Sequence, residues 1–409
     1  NIRRNVLLSG LVFGLAFTHR PTAVLLLISS AVLMINFYKT INIAKTIFYF
    51  ITGFVCGLFP LFIMIIKSLF DPLMNWGNPS DFNLLIEHFS GKLYHNRFLN
   101  LSIDKIFLNL SDFFVFFYNQ HSILFIILCS AGIFFLLKNN RKLLAVIGSY
   151  QVFLVIYAVN YDIPDINAYY IPVYLIMFAY MFCGTVFIYD FFPAKIKLSE
   201  KNKIYRSYLK ILIKTAFIFL ILIGFIKGTF ENYRINDISD SRQLEDYIKN
   251  IFITVPESSV LVLSGDDLIG SFQYMQIVNK MRKDLIGIAL NFDRYEWYYA
   301  QLKKRYKNLN MPGYQNNSGN EMTKRVIDAN IKNKRITSIF SKEGIIQYYD
   351  YTPCGIIGVL SEKGIKQELI YDFSFWSKYK ISGFDKYKFG MPIENHTDLR
   401  LKNIFESYC

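Results

Sequence analysis

The chain has 409 residues, 53% of them hydrophobic and only 19% charged, against the roughly 25% charge of an ordinary soluble domain. That deficit is concentrated before residue 230, where long apolar runs recur, while the remainder reads as a polar globular sequence. The composition excludes a single soluble core and a disordered chain, and five Cys are too few for a small disulfide scaffold. The net charge of +14 lies largely in short loops such as Lys138, Arg141 and Lys142, or Lys195 to Lys210, as cytoplasmic loops of a membrane protein require, so nucleic acid is not the expected partner.

In chain order, residues 5–18 and 22–37 predict two short helices, interrupted by Thr18-His19-Arg20-Pro21. Irregular backbone at membrane depth persists only where protein or a water-filled cavity covers it. Membrane spans are expected near 44–66, 122–137, 143–160, 169–191 and 209–227, since about 20 apolar residues cross a bilayer. Lys39 and Lys45 place the first of these loops inside. The chain then alternates through an outer segment, the inner loop at 138–142, an outer loop holding Asp162 and Asp165, and the basic inner loop at 195–210. The outer segment, 67–121, is read as one or two amphipathic helices along the membrane face, with a core helix of a small outer domain as the alternative. The expected fold is therefore an α-helical polytopic membrane domain, 1–230, with about seven membrane helices, followed by a small extracytoplasmic α/β domain, 231–409.

In that second domain, Val260-Leu-Val-Leu predicts a buried strand ending in a Gly265-Asp266 turn. A helix over 268–282 and a second strand over 285–291 complete a βαβ unit. A helix near 321–333, a strand near 335–340 and a strand-rich tail around 352–361 follow. Ligands of parallel sheets sit beyond the carboxyl ends of the strands, which makes Asp266, Asp267 and Asn291 candidates. The same residues equally suit a turn that caps the helix.

His19 and Arg20 form the candidate anion site, because charge inside membrane segments is costly and marks function; the alternative is an Arg that snorkels to headgroups. Asp162 and Asp165, beside Tyr169 and Tyr170, put acids and aromatics in one outer loop, or form a solvated turn. Trp76 suits either sugar stacking or the headgroup belt. His88, His95 and His121 lack the close spacing of metal ligands, and no metal or cofactor is assigned. Cys354 and Cys409 are the outer-domain cysteines, and the sequence leaves their pairing open.

Two passages carry a resemblance. One is Gly57-Leu-Phe-Pro60, then Asn75-Trp76-Gly77-Asn78-Pro79, then Gly91-Lys-Leu-Tyr94. The other is Ser264-Gly265-Asp266-Asp267 with Tyr274, Gln276, Arg282 and Asp284, then Trp297-Tyr298 and Gln301-Leu302. In this order, with Tyr170-Ile-Pro-Val-Tyr-Leu175 between them, they resemble a multi-span glycosyltransferase-like family of GT-C type related to protein O-mannosyltransferases. The chain departs from the family at Leu268, which replaces an acid, at Lys283, which replaces a Pro, and at Arg20-Pro21, where the family carries other residues beside the His.

The resemblance implies transfer of a sugar, possibly mannose, from a polyprenyl-phosphate donor to a protein or glycan acceptor on the extracytoplasmic side. The setting would be a bacterial inner membrane, or the ER in a eukaryote, with membrane lipid and the lipid-linked sugar as partners. It further implies that several spans and the acidic catalytic base lie upstream of Asn1, leaving Asp162 and Asp165 as the candidates within the chain. His19, Arg20, Trp76, Tyr169, Tyr170, Asp266 and Asp267 are the expected substrate-binding residues. A non-catalytic scaffold or sensor with the same fold is the first alternative. A lipid or solute transporter is less favoured, because no internal repeat and no midspan charges outside 18–21 are found.

Overall fold

Two glycine pairs let two helices pack backbone to backbone. Helix α1 (Ile2–His19) carries Gly10 and Gly14, and α3 (Ile43–Gly57), which follows α2 (Val24–Phe37), carries Gly53 and Gly57. A β-carbon at Gly10 would lie 2.1 Å from the Phe50 carbonyl oxygen, and one at Gly53 would lie 2.0 Å from that of Leu7. Only backbone without side chains permits this approach, as small-residue packing in membranes requires. Asn42 caps α3 by accepting from the Lys45 N–H at 3.1 Å. Pro60 sits in the first turn of α4 (Phe59–Leu69), where its missing N–H costs nothing, so α3 and α4 run on as one apolar stretch of 27 residues.

These features belong to a computed structural model that describes residues 2–37, 42–120, 122–163, 166–195, 203–237, 239, 242–315, 321–339, 344–365 and 373–382. The chain forms two compact units, one of residues 1–70 and 79–236, the other of residues 71–78 and 237–409.

In the first unit, Asp81 caps the amphipathic α5 (Phe82–Phe89), and a 3-10 turn over Lys92–Arg97 leads to α6 (Ile103–Gln120). Ser122 caps α7 (Ile123–Asn139) and Asn140 caps α8 (Arg141–Val159); α9 (Ile171–Lys195) and α10 (Lys203–Asn236) follow. Helices α7 and α9 meet as α1 and α3 do, since a β-carbon at Gly132 would lie 1.8 Å from the Tyr180 carbonyl oxygen. Phe113, Leu154, Ala158, Tyr170 and Val173 form one buried cluster. Four helices among the described residues are long and apolar enough to cross a membrane: 43–69, 141–159, 166–189 and 211–233. A fifth crossing exists if α6 and α7, bent by 107°, act together. The difference from the expected seven has local causes. Arg3, Arg4, Asn5 and His19 dilute α1, α2 has 14 residues, and the run expected to span at 122–137 is one arm of the bent pair.

The second unit holds a five-stranded sheet of order β2-β1-β3-β5-β4. After α11 (Gln243–Thr254) come β1 (Val260–Leu263), α12 (Asp266–Ile277), β2 (Ile286–Ala289), α13 (Glu296–Arg305), α14 (Glu321–Asn330), β3 (Ile336–Ser338), β4 (Tyr349–Cys354) and β5 (Ile357–Glu362). Strand β1 pairs in parallel with β2 and β3, while β5 is antiparallel to β3 and β4. All four residues of β1 are buried, as befits a central strand covered on both faces. Helix α12 stops at Ile277 rather than 282, because Lys280 (φ 58°) and Arg282 (φ 44°) take left-handed backbone.

That turn is held by Arg282. Its guanidinium donates to the carbonyl oxygens of Phe252, Val255 (2.9 Å) and Pro256 (3.1 Å), and to both carboxylate oxygens of Asp284 at 3.0 and 2.9 Å. Asp284 also accepts from the Ser258 N–H at 2.9 Å, and the Arg282 guanidinium holds its carboxyl down at about 2. Buried Asp293 caps α14, accepting from the N–H of Thr323 (2.6 Å) and Met322 (3.3 Å) and from the Tyr299 hydroxyl (3.0 Å).

Candidate functional site

In the helical unit, α1 ends at His19, Arg20 is extended (φ −146°, ψ 106°) as the residue before a Pro prefers to be, and Pro21 opens a 3-10 turn into α2. Residues 89–98 and the end of α8 with the loop after it meet this break. An isolated antiparallel bridge joins Phe98 to Tyr161, and the Asp162 N–H donates to the Arg97 carbonyl oxygen at 2.9 Å. The three stretches enclose a pocket of about 520 Å³ lined by His19, Arg20, Phe89, Ser90, His95, Phe98, Tyr157, Tyr161 and Tyr169 among others.

Arg20 is the cation of this pocket. Its guanidinium lies 4.9 Å from the centre of the Tyr169 ring and donates from Nη2 to the Ala168 carbonyl oxygen at 3.0 Å. Tyr169 in turn packs on Tyr161 (5.3 Å, edge-on) and Tyr157 (6.0 Å), and Phe98 packs on Tyr157 (4.9 Å). The aromatic wall orients Arg20 while engaging few of its five N–H groups, so the pocket suits an anion with an apolar or ring-bearing neighbour. His95 Nε2 lies 3.1 Å from the Ser90 carbonyl oxygen. Outside the spans, burial lowers the pKa of His88 on α5. Among the described residues no carboxylate lines the pocket.

The other sequence candidates separate. Tyr170 turns away into the buried cluster, 4.6 Å from Phe113, with no hydrogen-bond partner for its hydroxyl among the described residues. Asp162 is exposed and follows Tyr161 without lining the pocket, while Asp165, His121 and Cys409 lie outside the described residues. Asp266 and Asp267 begin α12. Asn291, beyond β2, donates to Asp266 Oδ1 at 3.1 Å and accepts from the Gly265 N–H at 3.1 Å and the Ser264 hydroxyl at 3.3 Å. These bonds close the turn after β1, and Asp266 and Asp267 line neither the Arg20 pocket nor the cavity beside Trp76.

Trp76 belongs to the second unit, in the segment 71–78. Its indole meets Phe292 edge-on at 4.7 Å, the Asn75 carbonyl oxygen accepts from Gln301 Nε2 at 2.8 Å, and Asp71 pairs with Lys304. A cavity of about 310 Å³ lies between this segment and α12 and α13, with Trp76, Gln273, Trp297, Tyr298, Gln301 and Arg305 on its walls. Burial pushes the Tyr298 phenol well above its usual range, and it accepts from the Ala289 N–H at 2.7 Å. Sequence reasoning missed Phe98, Tyr157 and Tyr161 in the first pocket and Gln273 and Phe292 in the second. Tyr157 and Tyr161, four residues apart at the end of a helical run, were the available signal.

No family model matches the chain, and no solved structure matches it significantly. A stretch of 84 residues is 21% identical to the protein O-mannosyl-transferase TMEM260 of Mus musculus, covering 20% of this chain and 12% of that protein. With its apolar helices, the chain is thus loosely similar to a membrane enzyme over a small part of either sequence.

Proposed function

We propose that this chain is part of a membrane glycosyltransferase of GT-C type that moves a sugar from a polyprenyl-phosphate donor to a protein or glycan acceptor. The observation that carries the reading is the Arg20 pocket: a cation held against Tyr169, in a break between two apolar helices, with an aromatic wall for the sugar. The relation to a mouse O-mannosyl-transferase supports the class and suggests mannose. In the reaction the acceptor oxygen bonds the anomeric carbon and the bond to phosphate oxygen breaks. A carboxylate takes the acceptor proton, and Arg20 balances the charge left on the phosphate. Asp162, next in sequence to the lining Tyr161, is the candidate for that carboxylate among the described residues. The loop charges support an extracytoplasmic position for Arg20 and for the second unit, in a bacterial inner membrane or the ER.

Arg20→Ala in the intact protein is expected to lower transfer from a polyprenyl-phosphate donor by about 10²-fold or more with membrane insertion unchanged. Unchanged turnover removes Arg20 from the site. The lack of a carboxylate among the described lining residues favours one other reading, a scaffold or sensor that binds the donor without reacting. Saturable donor binding by wild-type protein that shows no transfer would select it.

A further inference from the structure

The cavity of the second unit has no part in donor binding as proposed above, yet it is built with care. Its front wall is the segment 71–78, which reaches α13 across more than two hundred residues of sequence and is fastened there twice, by Gln301 on the Asn75 carbonyl oxygen and by the Asp71–Lys304 ion pair, and once more to the turn after β2, by Trp76 on Phe292. The segment is also shaped from within. Asn75 Nδ2 donates to Asn78 Oδ1 at 2.8 Å, and Gly77 (φ 74°) and Asn78 (φ 45°) take the left-handed backbone that Gly and Asn tolerate.

Fastening alone would call for a buried tryptophan. Trp76 instead remains 43% exposed, with Phe292 on its edge. Behind it, Trp297 stacks on Tyr295 (6.1 Å, 17° between planes) and leans on Phe292 at 5.5 Å, so Phe292 packs on both indoles. Polar groups stand around them. No described residue hydrogen-bonds the Gln273 amide, and Asp71, Lys304 and Arg305 rim the opening. The volume, about 310 Å³, lies at the small end of ligand sites, which run from about 300 to 1,000 Å³.

Indole surface beside a planar amide and charged groups matches a pyranose, which has an apolar C–H face and a rim of hydroxyls that donate and accept. We propose that this cavity is a saccharide subsite that takes a pyranose ring of a glycan. The assignment draws its ligand class from the cavity's own chemistry and stands independently of sugar transfer at Arg20.

The test uses the whole chain in detergent and its own fluorescence, since two of its three tryptophans, Trp76 and Trp297, line the cavity. Mannobiose, maltose and chitobiose are titrated in turn. At least one is expected to give a saturable change with millimolar or tighter affinity. Gln273→Ala, which removes no hydrogen bond among described residues, should weaken binding about tenfold or more with all fluorophores present, and Trp76→Ala should abolish it. Trp376→Phe should leave the affinity unchanged. A polyprenyl-phosphate mannose that competes with the disaccharide assigns the subsite to the donor sugar; failure to compete assigns it to the acceptor glycan. No saturable change up to about 50 mM of any of the three sugars overturns the proposal, as does full affinity in Gln273→Ala and Trp76→Ala. Arg20→Ala should lose transfer while keeping this titration, which separates the failure of one assignment from that of the other.

Discussion

The Arg282–Asp284 staple ties the stability of the second unit to pH. Asp284 has its carboxyl held near 2 against an ordinary 3.8, chiefly by the hydrogen bonds from Arg282. At about 1.4 kcal/mol per unit the shift corresponds to roughly 2.4 kcal/mol. Because the side chain is 32% exposed, solvent screening reduces this to about 1–2 kcal/mol. A depressed carboxyl stabilises the fold above its unfolded value and loses that contribution as pH falls through its folded value. Asp284→Asn should therefore destabilise the second unit by about 1–2 kcal/mol at pH 7, with the gap to wild type closing between roughly pH 4 and 2. Arg282→Ala should cost more, about 3 kcal/mol, since it also strips donors from the carbonyls of Phe252, Val255 and Pro256. All three tryptophans lie in the second unit, so thermal melts of the whole chain followed by tryptophan fluorescence report this unit. At about 2–4 °C per kcal/mol, Asp284→Asn should lower the midpoint by roughly 2–8 °C and Arg282→Ala by roughly 6–12 °C. Equal losses in the two variants, or an Asp284→Asn deficit that persists undiminished at pH 2, would refute the account.

Gly53→Leu should separate α1 from α3, because its β-carbon meets the Leu7 carbonyl oxygen at 2.0 Å, whereas Gly224→Leu, with nothing within 4 Å, should be silent. The expected loss is about 3 kcal/mol or more, seen as a lower aggregation temperature in size-exclusion chromatography, and equal behaviour of the two variants would contradict the packing. For topology, single cysteines introduced at Asp162 and at Lys201 in a Cys-free background should be labelled by an impermeant reagent from opposite sides of the membrane. Labelling from one side would dismantle the alternating arrangement drawn from the loop charges.

Strand β1 was legible because a central parallel strand is buried on both faces and so reads as an unbroken apolar run, Val260-Leu-Val-Leu263. The end of α12 was not. The stretch Asn279-Lys280-Met281-Arg282 contains no Gly or Pro, and its left-handed residues follow from the bonds of Arg282 to carbonyls of α11 and the loop after it. The break between α6 and α7 was legible as a change from an amphipathic segment ending at 121 to an apolar run from 122, but the 107° angle was not, because hydropathy records length without direction. Gly10-x-x-x-Gly14 and Gly53-x-x-x-Gly57 were visible as patterns, but a pattern on one helix does not name its partner.

The candidate sites repeat this contrast at higher resolution. Arg20 was legible, since a charge in an apolar run is conspicuous, and Tyr169 was named with it, while Phe98, Tyr157 and Tyr161 were diluted among 39 Phe and 29 Tyr. The motif passages behave differently. Asn75-Trp76-Gly77-Asn78 and Trp297-Tyr298 with Gln301-Leu302 stand far apart in the sequence, as separate marks of one resemblance. In the structure Trp76, Trp297, Tyr298, Gln301 and Leu302 line one cavity, and Gln301 bonds the backbone of Asn75. Each passage thereby accounts for the other. The Trp-Gly-Asn turn presents an indole to Phe292, which Trp297 and Tyr298 back, and Gln301 and Lys304 of α13 anchor a turn that has no sheet or helix of its own. A sequence shows such a pair as two motifs because the bond that joins them is between residues, and only folding brings its ends together.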